Sequence, residues 1–292
     1  MKTRCGFIKT FILALAMLLP ASGAMAKSCL WKVASKNGTL YLQGSIHALK
    51  ADNYPLAPAI EQAYSNSTAL VLEVDIKEMT SLETQKQIME KAMLPGNKTL
   101  QQTLDESTYE KLNTACASTE LPVAALSKFK PWFATITLTM VKLQKMGFDT
   151  QQGLDIYFYN KAVADNKKVI GLESASFQIN LFDSLSSENP NHFVTRALAD
   201  LALIEEDVAS LEKAWKTGDI DALGALMAKS FEGYPKLYKT FVLDRNEHWL
   251  KTLNDLLKNP EPHMVVVGAG HLAGEGGLID LLKKEGYTLE QL

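Results

Sequence analysis

Apolar residues gather in short runs at both ends of the chain and once in its middle, a pattern typical of β-strands. Asn37-Gly38 separates the first two runs, and this pair is favoured in tight hairpin turns with positive φ. Nearly continuous β-branched runs predict strands covered on both faces, as in a sheet core, and the last run predicts an edge strand. The runs are Leu30–Ala34, Thr39–Gly44, Thr68–Val74, Lys168–Leu172, His263–Gly268 and Tyr287–Leu289.

Between these runs the apolar spacing follows the helical period, with breaks at proline and glycine. The predicted helices are Pro58–Ser65, several between 81 and 143, Gly153–Asp165, Phe193–Trp215, Ile220–Lys229, Phe241–Leu257 and Leu278–Glu285. This order predicts an α/β (α+β) fold with a central mixed β-sheet flanked by helices. A large helical insertion, at about 80–240, separates the N- and C-terminal parts of a single domain over 27–292.

The N-terminus has the features of a secretory signal peptide. Lys2, Arg4 and Lys9 are followed by a short apolar run, and Ala24-Met25-Ala26 is a small-x-small cleavage pattern. We therefore expect cleavage after Ala26 and a periplasmic or secreted protein. The apolar run is shorter than the ~20 residues that span a bilayer, so no stable membrane anchor is expected after cleavage.

Charge and cysteine content limit the expected partners and the expected covalent cross-links. Without its first 26 residues the chain keeps 27 of the 30 basic residues against 33 acidic ones, a net charge of −6. With no long basic stretch, nucleic acid is not an expected partner. Cys29 and Cys116 are the remaining thiols, and in an oxidising compartment they form either one disulfide or two buried free thiols.

Two Gly-x-x-His motifs carry the candidate chemistry. Gly44–His47 and Gly268–His271 each follow a predicted buried strand, where glycine lets the backbone turn sharply. Neutral imidazole is a common ligand of transition metals, and two imidazoles with a carboxylate leave coordination positions open for water and substrate. Glu73, at the end of its own strand, is the preferred carboxylate. Asp75, two residues on, is expected on the same face.

The chain resembles the TraB/GumN family over nearly all of 27–292. The resemblance rests on segments that keep their order along the chain: Trp31-Lys32-Val33, Tyr41–His47, Leu72–Asp75, Gly153-Leu154-Asp155, Gly171-Leu172-Glu173 with Gln178, Trp215 with Gly218-Asp219, Arg245-Asn246 with Trp249, and Val267–Gly274. This family includes the Tiki metal-dependent proteases and is related in fold to erythromycin esterase-like and ChaN-like proteins.

The resemblance implies that His47 and His271 are metal ligands and that Glu73 is a ligand or a catalytic carboxylate. Mn²⁺ or Co²⁺ is then the expected metal, and the ligand types also suit Zn²⁺. The substrate would be a peptide or a small amide or ester. Glu73 or Asp75 would take a proton from the metal-bound water, and the residues leave open which acid is ligand and which is base.

Four further matched residues are site candidates. Arg245 is either a clamp for a substrate carbonyl or developing oxyanion, or an ion pair that holds its helix to Glu73, Asp75 or Glu173. Asn246 is assigned to the same region. Asp155 and Glu173 either orient the histidine rings or have a purely structural role. Ser45 lies in no Gly-x-Ser-x-Gly elbow, so a serine hydrolase is not expected.

Two functions of different class are compatible with these residues. One is an exported metal-dependent hydrolase, peptidase-like in its chemistry. The other is a periplasmic protein that binds a metal, haem or a peptide on the same fold without turnover. Turnover, as opposed to tight stoichiometric binding, distinguishes them. Any haem would be non-covalent, because the chain has no C-x-x-C-H attachment motif.

Overall fold

The computed structural model describes residues 27–185 and 189–292. The predicted signal peptide and its cleavage point after Ala26 lie outside the described residues. Within them, a mixed six-stranded sheet has the order β4-β3-β5-β2-β1-β6. The strands are β1 Leu30–Ala34, β2 Thr39–Ser45, β3 Ala69–Leu72, β4 Lys168–Gly171, β5 His263–Gly268 and β6 Thr288–Gln291.

Helices lie between all consecutive strands except β1 and β2, which confirms the predicted α/β class. They are α1 Pro58–Asn66, α2 Ile76–Met79, α3 Leu82–Ala92, α4 Leu100–Thr103, α5 Glu106–Ser118, α6 Pro131–Lys145, α7 Leu154–Ala164, α8 Ala175–Ser184, α9 Pro190–Thr217, α10 Ile220–Ser230, α11 Pro235–Tyr238, α12 Asp244–Leu256 and α13 Leu278–Lys284. None of the helices in the described part of the chain is long and apolar enough to cross a membrane.

Four neighbouring strands of the sheet are parallel. β5 lies between β2 and β3, and β4 continues the parallel set beyond β3. The valines of β5 are buried on both faces, as their β-branched run predicts. Ser45 pairs with Gly268, and Leu72 pairs with Val266, so the carboxyl ends of β2, β3 and β5 are level at one edge of the sheet.

The structure corrects the prediction for Lys168–Leu172. This segment forms β4, an edge strand that pairs with β3 and has exposed residues at both of its ends. It also lies inside the segment predicted as a helical insertion, as does α7, which packs against β3, β4 and β5. The apolar pattern indicates whether the two faces of a strand are covered. It does not indicate whether the strand has a hydrogen-bonded neighbour on one side or on both.

The first hairpin forms as predicted, although its glycine has a different role from the one expected. The φ of Gly38 is not positive. A Cβ at this position would lie 2.3 Å from the carbonyl oxygen of Asn259, so glycine is required here for a close approach between two backbones. The Ser35 hydroxyl accepts the Gly38 N–H at 2.8 Å and donates to the Leu257 carbonyl at 2.6 Å.

Two separate hydrophobic clusters hold the two thiols. Cys29 belongs to the cluster built around the sheet. Cys116 belongs to a second cluster, formed mainly by α4, α5, α6 and α9. Both cysteines are buried and free, which corresponds to the free-thiol alternative and not to the disulfide. Burial raises the pKa of Cys29 to about 12 and that of Cys116 to about 11.

We predict that the chain lacking residues 1–26 has two thiols that react only after unfolding. A thiol reagent at pH 8 should label the folded protein slowly, because both sulfurs are buried and protonated. In denaturant without reductant, both Cys29 and Cys116 should titrate. A non-reduced denatured sample in which no free thiol is found would instead establish the Cys29–Cys116 disulfide.

Candidate active site

Loops that follow β2, β3 and β5 bring His47, Glu73 and His271 to one cavity. Each residue lies within three positions of the end of its strand, at the level edge of the sheet. The carboxyl ends of parallel strands are the usual place for ligand sites in such sheets. The cavity has a volume of about 310 Å³, and its polar lining consists of His47, Glu73, Asp155, Gln178, Arg245 and His271.

Glu73 is a nearly buried carboxylate with a partner on each oxygen. Its Oε1 accepts the Gly268 N–H at 2.7 Å, and its Oε2 accepts from Arg245 Nη2 at 2.5 Å and from Gln178 Nε2 at 3.3 Å. Burial alone would raise the pKa of this carboxyl. The positive charges of His271, Arg245 and His47, together with the Gly268 N–H, lower it instead to about 2.

Arg245 uses all five of its N–H groups inside the protein. Nε donates to both oxygens of Glu173 at 3.1 and 3.2 Å, and Nη2 donates to Glu73 and Glu173 at 2.5 Å each. Nη1 donates to the Phe241 carbonyl at 3.2 Å and faces His271 Nε2 at 3.0 Å. No N–H remains for a substrate, so the structure favours the ion-pair alternative over the substrate clamp.

Glu173 is the buried anchor of this network. Besides Arg245, it accepts from Trp249 Nε1 at 3.0 Å and from Gln178 Nε2 at 2.8 Å. Trp249 and Arg245 both lie on α12, which follows a π-helical turn at Lys239–Leu243. Glu173 therefore contacts Arg245 and not a histidine ring, and the predicted orienting role belongs to Asn246 and Asp155.

Asn246 fixes the tautomer of His271. Its Nδ2 donates to the carbonyl oxygens of His271 and Gly276, so its Oδ1 must accept from His271 Nδ1, at 2.7 Å. His271 Nε2 then carries the lone pair that faces Arg245 Nη1, which can only donate. Burial lowers the pKa of His271 to about 4, and the positive charge of Arg245 acts in the same direction. At neutral pH His271 is therefore uncharged, and the positive charges of Arg245 and His47 keep Glu73 ionised.

His47 is the more exposed of the two motif histidines, with 61% of its side-chain surface exposed. Its Nδ1 lies 3.3 Å from Asp155 Oδ2, and its Nε2 lies 4.0 Å from Glu73 Oε1. Desolvation would lower the pKa of this ring, but the contact with Asp155 and the charge of Glu73 raise it to about 9. The two histidines thus have pKa values displaced in opposite directions, although they line the same cavity.

Gly153 allows Asp155 to reach His47. A Cβ on Gly153 would lie 2.3 Å from the His47 carbonyl oxygen, so a larger residue would push α7 away from this loop. Asp155 occupies the first turn of α7, and its Oδ1 accepts from the Ser45 hydroxyl at 3.4 Å. The Gly153-Leu154-Asp155 segment noted in the sequence therefore positions the exposed histidine.

Asp75 lies apart from the other predicted residues. β3 ends at Leu72, before both acids, so strand alternation does not place Glu73 and Asp75 on one face. Asp75 instead caps α2 by accepting the Lys77 N–H at 2.9 Å, and it does not line the cavity. Conversely, the sequence analysis assigned no role to Gln178, although its amide donates to both Glu73 and Glu173. Its position among the segments that resemble the family is the signal that could have identified it.

The donors fit a divalent metal only in part. His47 Nε2 and Glu73 Oε1 face the cavity, and imidazole and carboxylate are suitable ligands. The third predicted ligand, His271, already accepts from Arg245 through Nε2 and donates to Asn246 through Nδ1. Across residues 27–185 and 189–292, no three histidine, cysteine or acidic side chains are grouped so that they could hold a metal ion.

The depressed pKa of His271 predicts a loss of stability in mild acid. The unfolded chain binds a proton near pH 6.5, whereas the folded chain does so near pH 4. The contribution of His271 to the free energy of unfolding should therefore be constant above pH 6.5 and fall by up to about 1.4 kcal/mol per pH unit between pH 6.5 and 4. Urea denaturation across this range measures the slope.

The His271→Gln variant should show a smaller slope than the wild type over the same range. His248→Gln, on the exposed face of α12, is the matched control for loss of a histidine. Equal slopes in wild type and His271→Gln would contradict a neutral buried His271.

Sequence comparisons agree with this arrangement of the chain. The sequence profile of the TraB/PrgY/gumN family matches residues 29–291. The uncharacterized protein YbaP of Escherichia coli (strain K12) is 25% identical over 260 residues, which cover 85% of this chain and 89% of YbaP. YbaP of Shigella flexneri is 25% identical over 256 residues, which cover 83% and 87%. No solved structure matches the chain. Because the family profile spans both Gly-x-x-His motifs and every strand, the chain belongs to the TraB/PrgY/gumN family.

Proposed function

We propose that this chain is an exported hydrolase that cleaves an amide or ester bond in the cavity at the ends of β2, β3 and β5, with a divalent metal as its cofactor. The observation that carries the proposal is the meeting of His47, Glu73 and His271, from three separate strand ends, in one cavity. Strongly displaced pKa values of opposite direction at one site are typical of acid–base chemistry.

His47 Nε2 and Glu73 Oε1 are the donors that would hold the metal. Mn²⁺, Co²⁺ and Zn²⁺ all suit this pair of ligand types. When bound, such an ion lowers the pKa of its water and supplies hydroxide near neutral pH. His47 must lose its proton to become a ligand, and its pKa of about 9 means that loading should improve as the pH rises toward 9.

The other residues of the site prepare these two donors. Arg245 and the Gly268 N–H keep Glu73 ionised and fixed, so its carboxylate is available as a metal ligand at neutral pH. Asp155 fixes the ring of His47 through Nδ1 and leaves Nε2 toward the cavity. His271, held by Asn246, contributes a neutral imidazole with a defined tautomer.

A binding protein without turnover is the second candidate. It is favoured by the completeness of the network around Arg245, since Glu173, His271 and the guanidinium satisfy one another without any ligand. Such a protein would bind a metal or peptide at His47 and Glu73 and release it unchanged. The two candidates share the same residues, so mutation alone does not separate them, whereas measured turnover does.

We predict that the chain without residues 1–26, loaded at pH 8.5 with Mn²⁺, Co²⁺ or Zn²⁺, retains about one ion per protein by elemental analysis. His47→Ala and Glu73→Gln should each lose most of this metal and any peptidase or esterase activity. His192→Ala, which removes a histidine outside the cavity, is the matched control. Circular dichroism should show that all variants remain folded.

Two results would contradict this prediction. Negligible metal in the wild type and in every variant would remove the cofactor from the proposal. One metal per chain without turnover of any amide or ester would establish the binding-protein alternative.

Export generates a separate prediction. When the full chain is expressed in a bacterium with a periplasm, the protein recovered from that compartment should begin at Lys27, because signal peptidase reads Ala24-Met25-Ala26. Ala26→Asp should leave the precursor uncleaved. Recovery of full-length wild-type chain from the cytosol would contradict export.

A further inference from the structure

The same cavity has an apolar side that the proposed chemistry does not use. Besides its polar residues, it is lined by Ile76 and Met79 of α2 and by Leu181 and Phe182 of α8. Phe182 retains 36% of its surface exposed beside the other three apolar residues of the lining. These four side chains form an apolar wall that a ligand in the cavity can contact.

Both helices of this wall are held in place. Glu78 of α2 accepts the Ala175 N–H at the start of α8, at 2.9 Å. Near the other end of α8, Asp183 accepts from Lys130 Nζ at 2.7 Å and from Trp132 Nε1 at 3.2 Å. The apolar wall is thus fixed before any ligand arrives, and this preorganisation favours selective binding.

Phe182 is positioned further by two aromatic neighbours. Its ring lies 6.3 Å from that of Trp132, nearly parallel, and 5.8 Å from that of Phe241 in an edge-to-face arrangement. Such pairs stabilise defined ring orientations. One side of the ring is therefore packed, and the remaining exposed surface is what a ligand can contact.

The charged groups of the cavity are matched within the protein. Arg245 is paired with Glu73 and Glu173, and Asp155 is paired with His47. The described lining residues contain no lysine and no acid left without a partner. A charged substrate side chain placed against α2 and α8 would lose water and gain no counter-charge. An uncharged apolar group would bury its surface against the wall at no such cost.

Cavity size limits what can bind. A volume of about 310 Å³ lies at the lower end of the range for small-ligand pockets. It suits one amino-acid side chain together with the bond beside it.

We propose that the cavity selects substrates with an uncharged apolar side chain, of leucine to phenylalanine size, next to the amide or ester bond that is attacked. Met79 and Phe182 are the specificity-determining residues that contact this side chain. The inference rests on the proposed function, because it assumes that the bond lies at His47 and Glu73.

The first test uses calorimetry to measure the binding of four probes to the protein that comprises residues 27–292. The probes are the N-acetyl amides of leucine, phenylalanine, glutamate and lysine. The leucine and phenylalanine probes should bind at least tenfold more tightly than the two charged ones, since apolar groups in such pockets change affinity by roughly 10- to 200-fold.

Substitutions of Phe182 and Met79 test whether the apolar wall causes the preference for apolar probes. Phe182→Ala should weaken binding of the phenylalanine probe on the order of tenfold. Met79→Glu should reverse the preference toward the lysine probe, and it remains informative if Phe182→Ala disturbs α8. Phe177→Ala is the matched control, because Phe177 lies on the same helix with 45% of its surface exposed but does not line the cavity.

The outcomes separate this inference from the proposed hydrolysis. Apolar preference that depends on Met79 and Phe182, without turnover, would support the inference and contradict the hydrolase. Turnover of charged and apolar probes at equal rates would support the hydrolase and overturn the inference. Absence of binding by all four probes, or variants that match Phe177→Ala, would also overturn it.

Discussion

The buried guanidinium of Arg245 is the group on which the candidate site depends. It lies between two glutamates, with only 8% of its side chain exposed, and it also contacts a neutral histidine. Two carboxylates cannot stay ionised in such a place without a cation. The remaining negative charge is stabilised by the N–H groups of Gly268, Trp249 and Gln178. One side chain on α12 thereby helps to keep Glu73 ionised, at the end of β3, and contacts the ring of His271, after β5, whose tautomer its neighbour Asn246 fixes.

The molecule divides its tasks between sheet and helices. The level ends of β2, β3 and β5 carry the groups capable of acid–base or metal chemistry, and short loops hold them in position. Helices α2 and α8 contribute an apolar wall beside these groups. Gln178 of α8 belongs to the charged network, whereas Leu181 and Phe182 of the same helix and Met79 of α2 form no hydrogen bond with it through their side chains. In our proposal, reaction chemistry and substrate preference therefore depend on different side chains, although α8 contributes to both.

The sequence predicted those parts of the fold that depend on local pattern. The strand before His271 has a clear β-branched run, the strand before His47 follows the Asn37-Gly38 turn, and Gly218, with a φ of 62°, ends α9 between the two predicted helices. It did not predict properties that depend on partners distant in the chain. Tertiary packing determines whether β4 pairs with one strand or two and whether Cys29 approaches Cys116. It also determines which acceptors the five N–H groups of Arg245 contact. Asp75 was misplaced because β3 ends three residues before it, and strand ends are poorly marked in sequence.

A metal bound by His271 would have to compete with Arg245 for the lone pair on Nε2, and this constrains how the proposed cofactor could enter the site. His271 Nε2 can accept from the guanidinium or bind a metal, but it cannot do both. Displacing Arg245 would also remove the cation from Glu173, which would keep only the N–H groups of Trp249 and Gln178; leaving a buried charge unpaired costs roughly 3–5 kcal/mol. His47 and Glu73 carry no such cost, because both line the cavity and the side chain of His47 is largely exposed. In our proposal, metal binding therefore begins at His47 and Glu73, on the open side, and leaves the buried network intact.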